Sequence, residues 1–164
     1  MGYRSLSLSA YERKLRADKK LSNEERGNYF DAMAKLMCLA QDHKVRLLWS
    51  ARAKAIYWTD HDAITLPRIS LTKTIVHDLL HELGHVELRN KHRFRMNDGT
   101  DSKTVQQQLN MLNEEFEAWY TGKKIAKRLK CVIDLPMLER SEKWALMRYV
   151  TWAARRGSKQ KRWV

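Results

Sequence analysis

One pentapeptide constrains this chain more than anything else in it: His81-Glu82-Leu83-Gly84-His85. Two imidazoles at i and i+4 converge on one ion only where the backbone is helical, because that spacing puts both on one face. The neighbouring sequence agrees. Ser70 or Thr72 offers a cap, and Ile75, Val76, Leu79, Leu80, Leu83 and Val86 recur at helical spacing, predicting a helix that runs to about Asn90. Glu82, one residue along from His81, is placed to take a proton from water as general base and pass it to a leaving group. Gly84 stands where a helix prefers a side chain. Glycine there costs about 1 kcal/mol against alanine, which calls for a packing or functional reason.

A catalytic zinc ion takes three protein ligands and leaves one position open. The third is expected from a long helix predicted between about Ser102 and Lys130, which carries Glu114, Glu115 and Glu117. Its apolar stripe reads Val105, Leu109, Leu112, Phe116, Trp119 and Ala126. At 100° per residue, Glu115 lies at the edge of that stripe, whereas Glu114 and Glu117 point away toward solvent. The expected metal ligands are therefore His81, His85 and Glu115, with Glu82 catalytic. His77 shares the face of His81 and His85, but one straight helix cannot easily turn three imidazoles onto one ion, so a core or supporting role is expected. Asp78 either orients the site or faces water. His43, His61 and His92 read as surface residues. Tyr120, Tyr149 and His92 are conceivable hydrogen-bond donors opposite the metal. Nothing in the sequence selects one.

Before the motif, Ser9 to Lys20 is charged and helix-compatible, and Ser22 starts a second helix whose apolar face is Tyr29, Met33, Leu36, Met37 and Ala40. Val45 to Trp49, Ala55 to Trp58 and Ala63 to Leu66 read as short strands around the turn Thr59-Asp60-His61-Asp62, predicting a small antiparallel sheet. After the long helix, Asp134-Leu135-Pro136 marks a break, and a last amphipathic helix covers roughly Leu138 to Ala154. The segment from Arg155 to Trp163 is too polar to pack and is expected to be mobile. The fold class expected is α+β, helix-rich, with the small sheet ahead of the motif helix. Residues 1–44 form an N-terminal helical region, 45–130 the core and 131–164 a C-terminal helix and basic tail, all within one domain.

Ala55-Ile56-Tyr57-Trp58 and Ile64-Thr65-Leu66, the His81–His85 motif and Leu112-Asn113-Glu114-Glu115-Phe116-Glu117-Ala118-Trp119 together resemble the gluzincin branch of zinc metallopeptidases. Within it, they are similar to the small ImmA/IrrE-like family common in phages and mobile elements, which includes enzymes that cleave repressors. The likeness spans about Ala55 to Ala126. It implies a zincin-like fold, bound Zn2+, peptide-bond hydrolysis and a substrate strand pairing near Ile64. The family places Asn or Asp one turn after the third ligand to hold a histidine; here that position is Trp119.

Charge adds a partner class. Thirty-two Lys and Arg against nineteen Asp and Glu give +13, concentrated in Arg89–Arg95, Lys123–Lys130 and Arg155–Arg162. Such an excess attracts polyanions, so nucleic acid or an acidic protein is an expected partner beside a protein or peptide substrate. No apolar run approaches the roughly 20 residues of a membrane span. The N-terminus lacks an apolar signal core, and Leu6 stands where myristoylation requires Ser or Thr. Cys38 and Cys131 are isolated, with no disulfide framework and no Cys-x-x-Cys site. A cytoplasmic protein is expected, in the host cytoplasm if phage-encoded.

Overall fold

A computed structural model describes residues 4–51, 54–91 and 104–160. Ser7 caps α1 (Leu8–Ala17) by accepting from the Ala10 N–H. Ser22 and Glu25 form a reciprocal capping box at the start of α2 (Asn23–Asp42), satisfying two otherwise orphaned N–H groups. Lys44, in the left-handed region at φ 58°, turns the chain out of α2 and into the sheet.

The sheet contains β1 (Arg4–Ser5), β2 (Arg46–Ser50), β3 (Ile56–Trp58) and β4 (Ala63–Pro67), in the order β1-β2-β4-β3. β3 and β4 form the expected antiparallel pair, closed by a short 3₁₀ turn and by Asp62 at φ 43°. The antiparallel expectation fails for the central pair, because β2 and β4 run parallel, from Arg46↔Ala63 to Ser50↔Pro67. The chain reverses through β3, and β3 docks on the far side of β4. That leaves β2 beside β4 in the same direction. Every residue of β4 is buried, as befits a central strand covered on both faces. The strand around Ile64 therefore has no free edge for a substrate; among the described residues, the border strand on that side of the sheet is β3.

α3 (Thr72–Asn90) lies against the sheet and α2 on one side and α4 (Val105–Arg128) on the other. It is buried almost all round, polar positions His77, Glu82, His85 and Glu87 included. Neither Ser70 nor Thr72 caps it. The N-cap position is Leu71, without a side-chain hydrogen bond, while the Thr72 hydroxyl donates to Asp18 Oδ2 at 2.8 Å. Tyr11 donates to the Thr72 carbonyl at 3.1 Å, so the N-terminal helix pins the start of α3.

α4 starts at Thr104 with a second capping box, to Gln107. α5 (Leu135–Gln160) starts three residues earlier than expected, since Asp134 Oδ1 accepts the Met137 N–H and Pro136 fits in the first turn, where its missing donor is harmless. Its backbone stays helical to Gln160, past the expected end at Ala154; the side chains of 155–160 and all of 161–164 lie outside the described residues. One apolar cluster draws on α1, α2, β2, β4, α3 and α4, running from Leu6 to Ala126. No described helix is long and apolar enough to cross a membrane.

Candidate metal centre

The long axis of the site is the contact between α3 and α4, and two glycines set its closeness. A Cβ at Gly84 would fall inside the carbonyl group of Ala118, and one at Gly122 would lie 2.6 Å from the Leu80 carbonyl oxygen. No side-chain layer separates the helices at these points. This supplies the reason for glycine inside the motif: it is a packing notch that lets the carboxylates of α4 reach the histidines of α3.

Across that contact, single ligand atoms of His81, His85 and Glu115 lie within 4.8 Å of one another, all three side chains being largely shielded from water. The two Nε2 atoms are 3.3 Å apart. Glu115 Oε2 is 3.2 Å from His81 Nε2, and Oε1 is 3.6 Å from His85 Nε2. Burial pushes the Glu115 carboxyl up, but hydrogen bonding to His81 and the nearby imidazoles outweigh it and hold the pKa below its ordinary value. Two imidazole nitrogens and one carboxylate are a donor set for a divalent transition ion. These three residues can hold a metal ion.

Each ligand is held from behind. His85 Nδ1 lies 3.5 Å from Glu114 Oε1, so a carboxylate stands behind the imidazole and favours Nε2 as the free face. This corrects the expectation that Glu114 faces solvent: it is 2% exposed. The helical wheel misplaced it because only the C-terminal part of the apolar stripe of α4, Trp119 and Ala126, packs, while its earlier members Leu109 and Phe116 do not. Leu109 and Phe116 are more than half exposed, whereas Gln108, Glu114, Glu115, Ala118, Trp119, Ile125 and Ala126 are buried. Glu117 is half-buried, with Asn113 Nδ2 at 3.5 Å from its Oε1.

His81 is held by stacking. The Trp119 ring lies 4.3 Å from it, centroid to centroid, at an interplanar angle of 25°. Trp119, one helical turn after Glu115, thus orients a histidine by its ring face.

Glu82 accepts the backbone N–H of Tyr57 at 2.9 Å. Its pKa is pushed up to about 7, chiefly by burial, with the negative charges of Glu115 and Asp78 adding to the effect and His85 and the Tyr57 N–H opposing it. A carboxylate poised near neutrality can both accept and return a proton. Asp78 is half-buried and is also pushed up, to about 6, by burial, against the pull of His81. The backbone contact from β3 to Glu82 has no sequence signature. It is visible only once the sheet is assembled.

Of the three candidate donors, the structure brings Tyr149 to the site: its hydroxyl donates to Glu115 Oε1 at 2.9 Å. Burial and the charge on Glu115 raise the pKa of that hydroxyl, so it remains a donor. Tyr120 is half exposed with Lys124 over its ring, and His92 lies outside the described residues. His77 is fully buried and turned to α2, with Nε2 3.4 Å from the Tyr29 hydroxyl. His43 is not a free surface residue but is half-buried beside Asn90 and Glu87. His61 is exposed, and Cys38 and Cys131 are free thiols. Of the expected basic clusters, Arg128 pairs with buried Glu87 and Lys123 with Glu142, while most of Arg89–Arg95 lies outside the described residues.

Compared with known proteins, the chain matches no family model, no curated protein and no solved structure.

Proposed function

We propose that the protein is a zinc-dependent metallopeptidase of the His-Glu-x-x-His type, resembling the ImmA/IrrE-like zincins. The observation that carries this reading is the convergence of His81, His85 and Glu115 within 4.8 Å, with Glu82 on the same helix as both histidines. A zinc ion held there supplies a Lewis acid, which makes water acidic near neutral pH and polarises a carbonyl group. The chain's own residues do the rest. Glu82, buried and held at the sheet border by the Tyr57 N–H, takes the proton from water and returns it to the leaving amine. Glu114 and Trp119 keep the imidazoles facing inward. The border strand β3 is the element along which an extended peptide pairs, and its Tyr57 N–H already points at the base. The phage-type resemblance suggests a cytoplasmic regulatory or nucleic-acid-associated protein as substrate.

The test is Glu82→Gln. The variant keeps about one zinc per chain and the wild-type unfolding midpoint, and loses hydrolysis of a substrate found by peptide-library digestion. Undiminished cleavage by this variant removes Glu82 from the mechanism.

A second reading has its own observation. On the outer surface of α4 and α5, Lys124 Nζ lies 4.3 Å from the centre of the Tyr120 ring and Arg148 Cζ 4.8 Å from that of Trp144, with the rings 50% and 65% exposed. Rings paired with cations suit single-stranded nucleic acid, stacking bases while contacting phosphate. In that reading the zincin-like domain is a nucleic-acid-binding protein with little or no protease activity. Affinity for a single-stranded oligonucleotide then falls linearly on a log–log salt plot, and Tyr120→Ala with Trp144→Ala weakens it. Absence of binding near physiological salt excludes this reading.

A further inference from the structure

We infer that Tyr149 is a positioning residue for Glu115, making α5 a working part of the metal centre although it lies beyond the segment that resembles zincins; the inference rests on the metal reading above. A glutamate carboxylate turns freely about its last torsion, whose energy profile is broad. In the α3–α4 contact that torsion has to be fixed, because Oε2 and Oε1 address different histidines, at 3.2 Å and 3.6 Å. Besides the His81 imidazole, the only hydrogen-bond donor described on Glu115 is the Tyr149 hydroxyl, 2.9 Å from Oε1. It fixes which oxygen turns to which ring.

The register that delivers Tyr149 is built into the helix pair. α4 and α5 run antiparallel, and Lys123 Nζ meets Glu142 Oε2 at 2.8 Å. Moving back eight residues on α4 reaches Glu115; moving on seven residues on α5 reaches Tyr149. The two steps rise about 12 Å and about 10.5 Å, so the second rung falls at matching heights; Tyr149 keeps the face of Glu142, while Glu115 is turned about 80° from Lys123, where it also meets His81. Leu138, 1% exposed, and the Asp134 cap anchor the start of α5 below both rungs. The ion pair therefore sets the height at which the phenol reaches the carboxylate.

The experiment measures zinc affinity by chelator competition, and the visible spectrum of the cobalt-substituted protein, for wild type, Tyr149→Phe, Glu142→Gln and Tyr120→Phe. Removing the partner of a metal ligand typically weakens affinity by about 10–100-fold. Tyr149→Phe is expected to weaken zinc binding at least 10-fold and to alter the cobalt spectrum, while the metal-free unfolding midpoint stays near wild type. Glu142→Gln has a smaller effect in the same direction, and Tyr120→Phe none. A purely structural Tyr149 gives the opposite pattern, a lower metal-free midpoint with affinity and spectrum preserved, and overturns the inference. Wild-type protein that takes up no metal overturns the metal reading itself, and with it this role. Wild-type uptake with an unchanged Tyr149→Phe overturns this role alone.

Discussion

His77 and His81 sit one turn apart on the same helix and have opposite surroundings. His77 faces α2, where its partner is the neutral Tyr29 hydroxyl at 3.4 Å, and burial pushes its pKa down to about 4. His81 faces α4, where Glu115 lies 3.2 Å away and Trp119 stacks on its ring. A rotation of about 40° per step of four residues carries the helix from one environment to the other. The comparison teaches that a histidine becomes a ligand through what the opposite helix presents to it. Helix α2 presents a phenol and makes a dry core residue; helix α4 presents carboxylates and makes a cluster that could hold a metal ion.

The strongest way to break that contrast is to remove metal ligands from one side only. His81→Ala and Glu115→Ala should each reduce zinc retention by more than the roughly 100-fold seen when outer partners are lost, while His77→Ala leaves it intact. Metal analysis of freshly purified protein checks this. Glu114→Gln should fall between, about 10-fold weaker, and Glu117→Gln should match wild type. Loss of zinc from His77→Ala with its fold preserved would erase the distinction.

Next in size is the spacing between α3 and α4. Gly84→Ala puts a methyl group into the Ala118 carbonyl, and main chain cannot turn aside as a side chain does. A loss of about 3 kcal/mol in urea unfolding is expected, at the upper end for overpacking, together with weaker metal binding. The α2 side of α3 is untouched by this change. Unchanged stability would mean that the helices do not pack at this distance.

The smallest effect belongs to His77 itself. Its folded pKa of about 4 lies below the ordinary 6.5, so the unfolded chain binds the extra proton first. The stabilisation is complete above pH 6.5 and fades as pH falls toward 4. Asp78 and Glu82, whose raised pKa values act in the opposite direction, are common to both proteins, so wild type should lose roughly 2.5 kcal/mol more over that window than His77→Phe. Lys73 and Asp134 also act on His77, but Asp134 has a lowered pKa and titrates below the window. A curve for His77→Phe as steep as wild type would place the acid lability elsewhere.

The chemistry of α3 was legible because it is local. The spacing of His81, Glu82 and His85 and the apolar periodicity around them require only a helix, and the capping pair Ser22 and Glu25 marks the start of α2 as directly. What depended on distant partners was not. Glu114 was misplaced because a wheel drawn from apolar residues assumes that they face the core, whereas α4 leaves Leu109 and Phe116 in water and buries two glutamates. The parallel pairing of β2 with β4 depends on which side β3 docks, and short strands carry no signal for that. Tyr149 was one candidate among three until the ion pair between Lys123 and Glu142 set the register of α5. The donor on Glu82 is main chain, which no residue identity reveals.

The two glycine notches also decide how rigid the centre is. Where side chains separate two helices, a rotamer change in that layer lets the axes creep by fractions of an ångström. At Gly84 and Gly122 the stops are carbonyl groups, which have no rotamers. The gap between α3 and α4 is therefore gauged by main chain, not by the apolar layer on the sheet side of α3. Substitutions in that layer are then expected to alter melting temperature while leaving the spacing of His81, His85 and Glu115 unchanged. Two residues without side chains thus set the spacing across which His81, His85 and Glu115 could hold a metal ion.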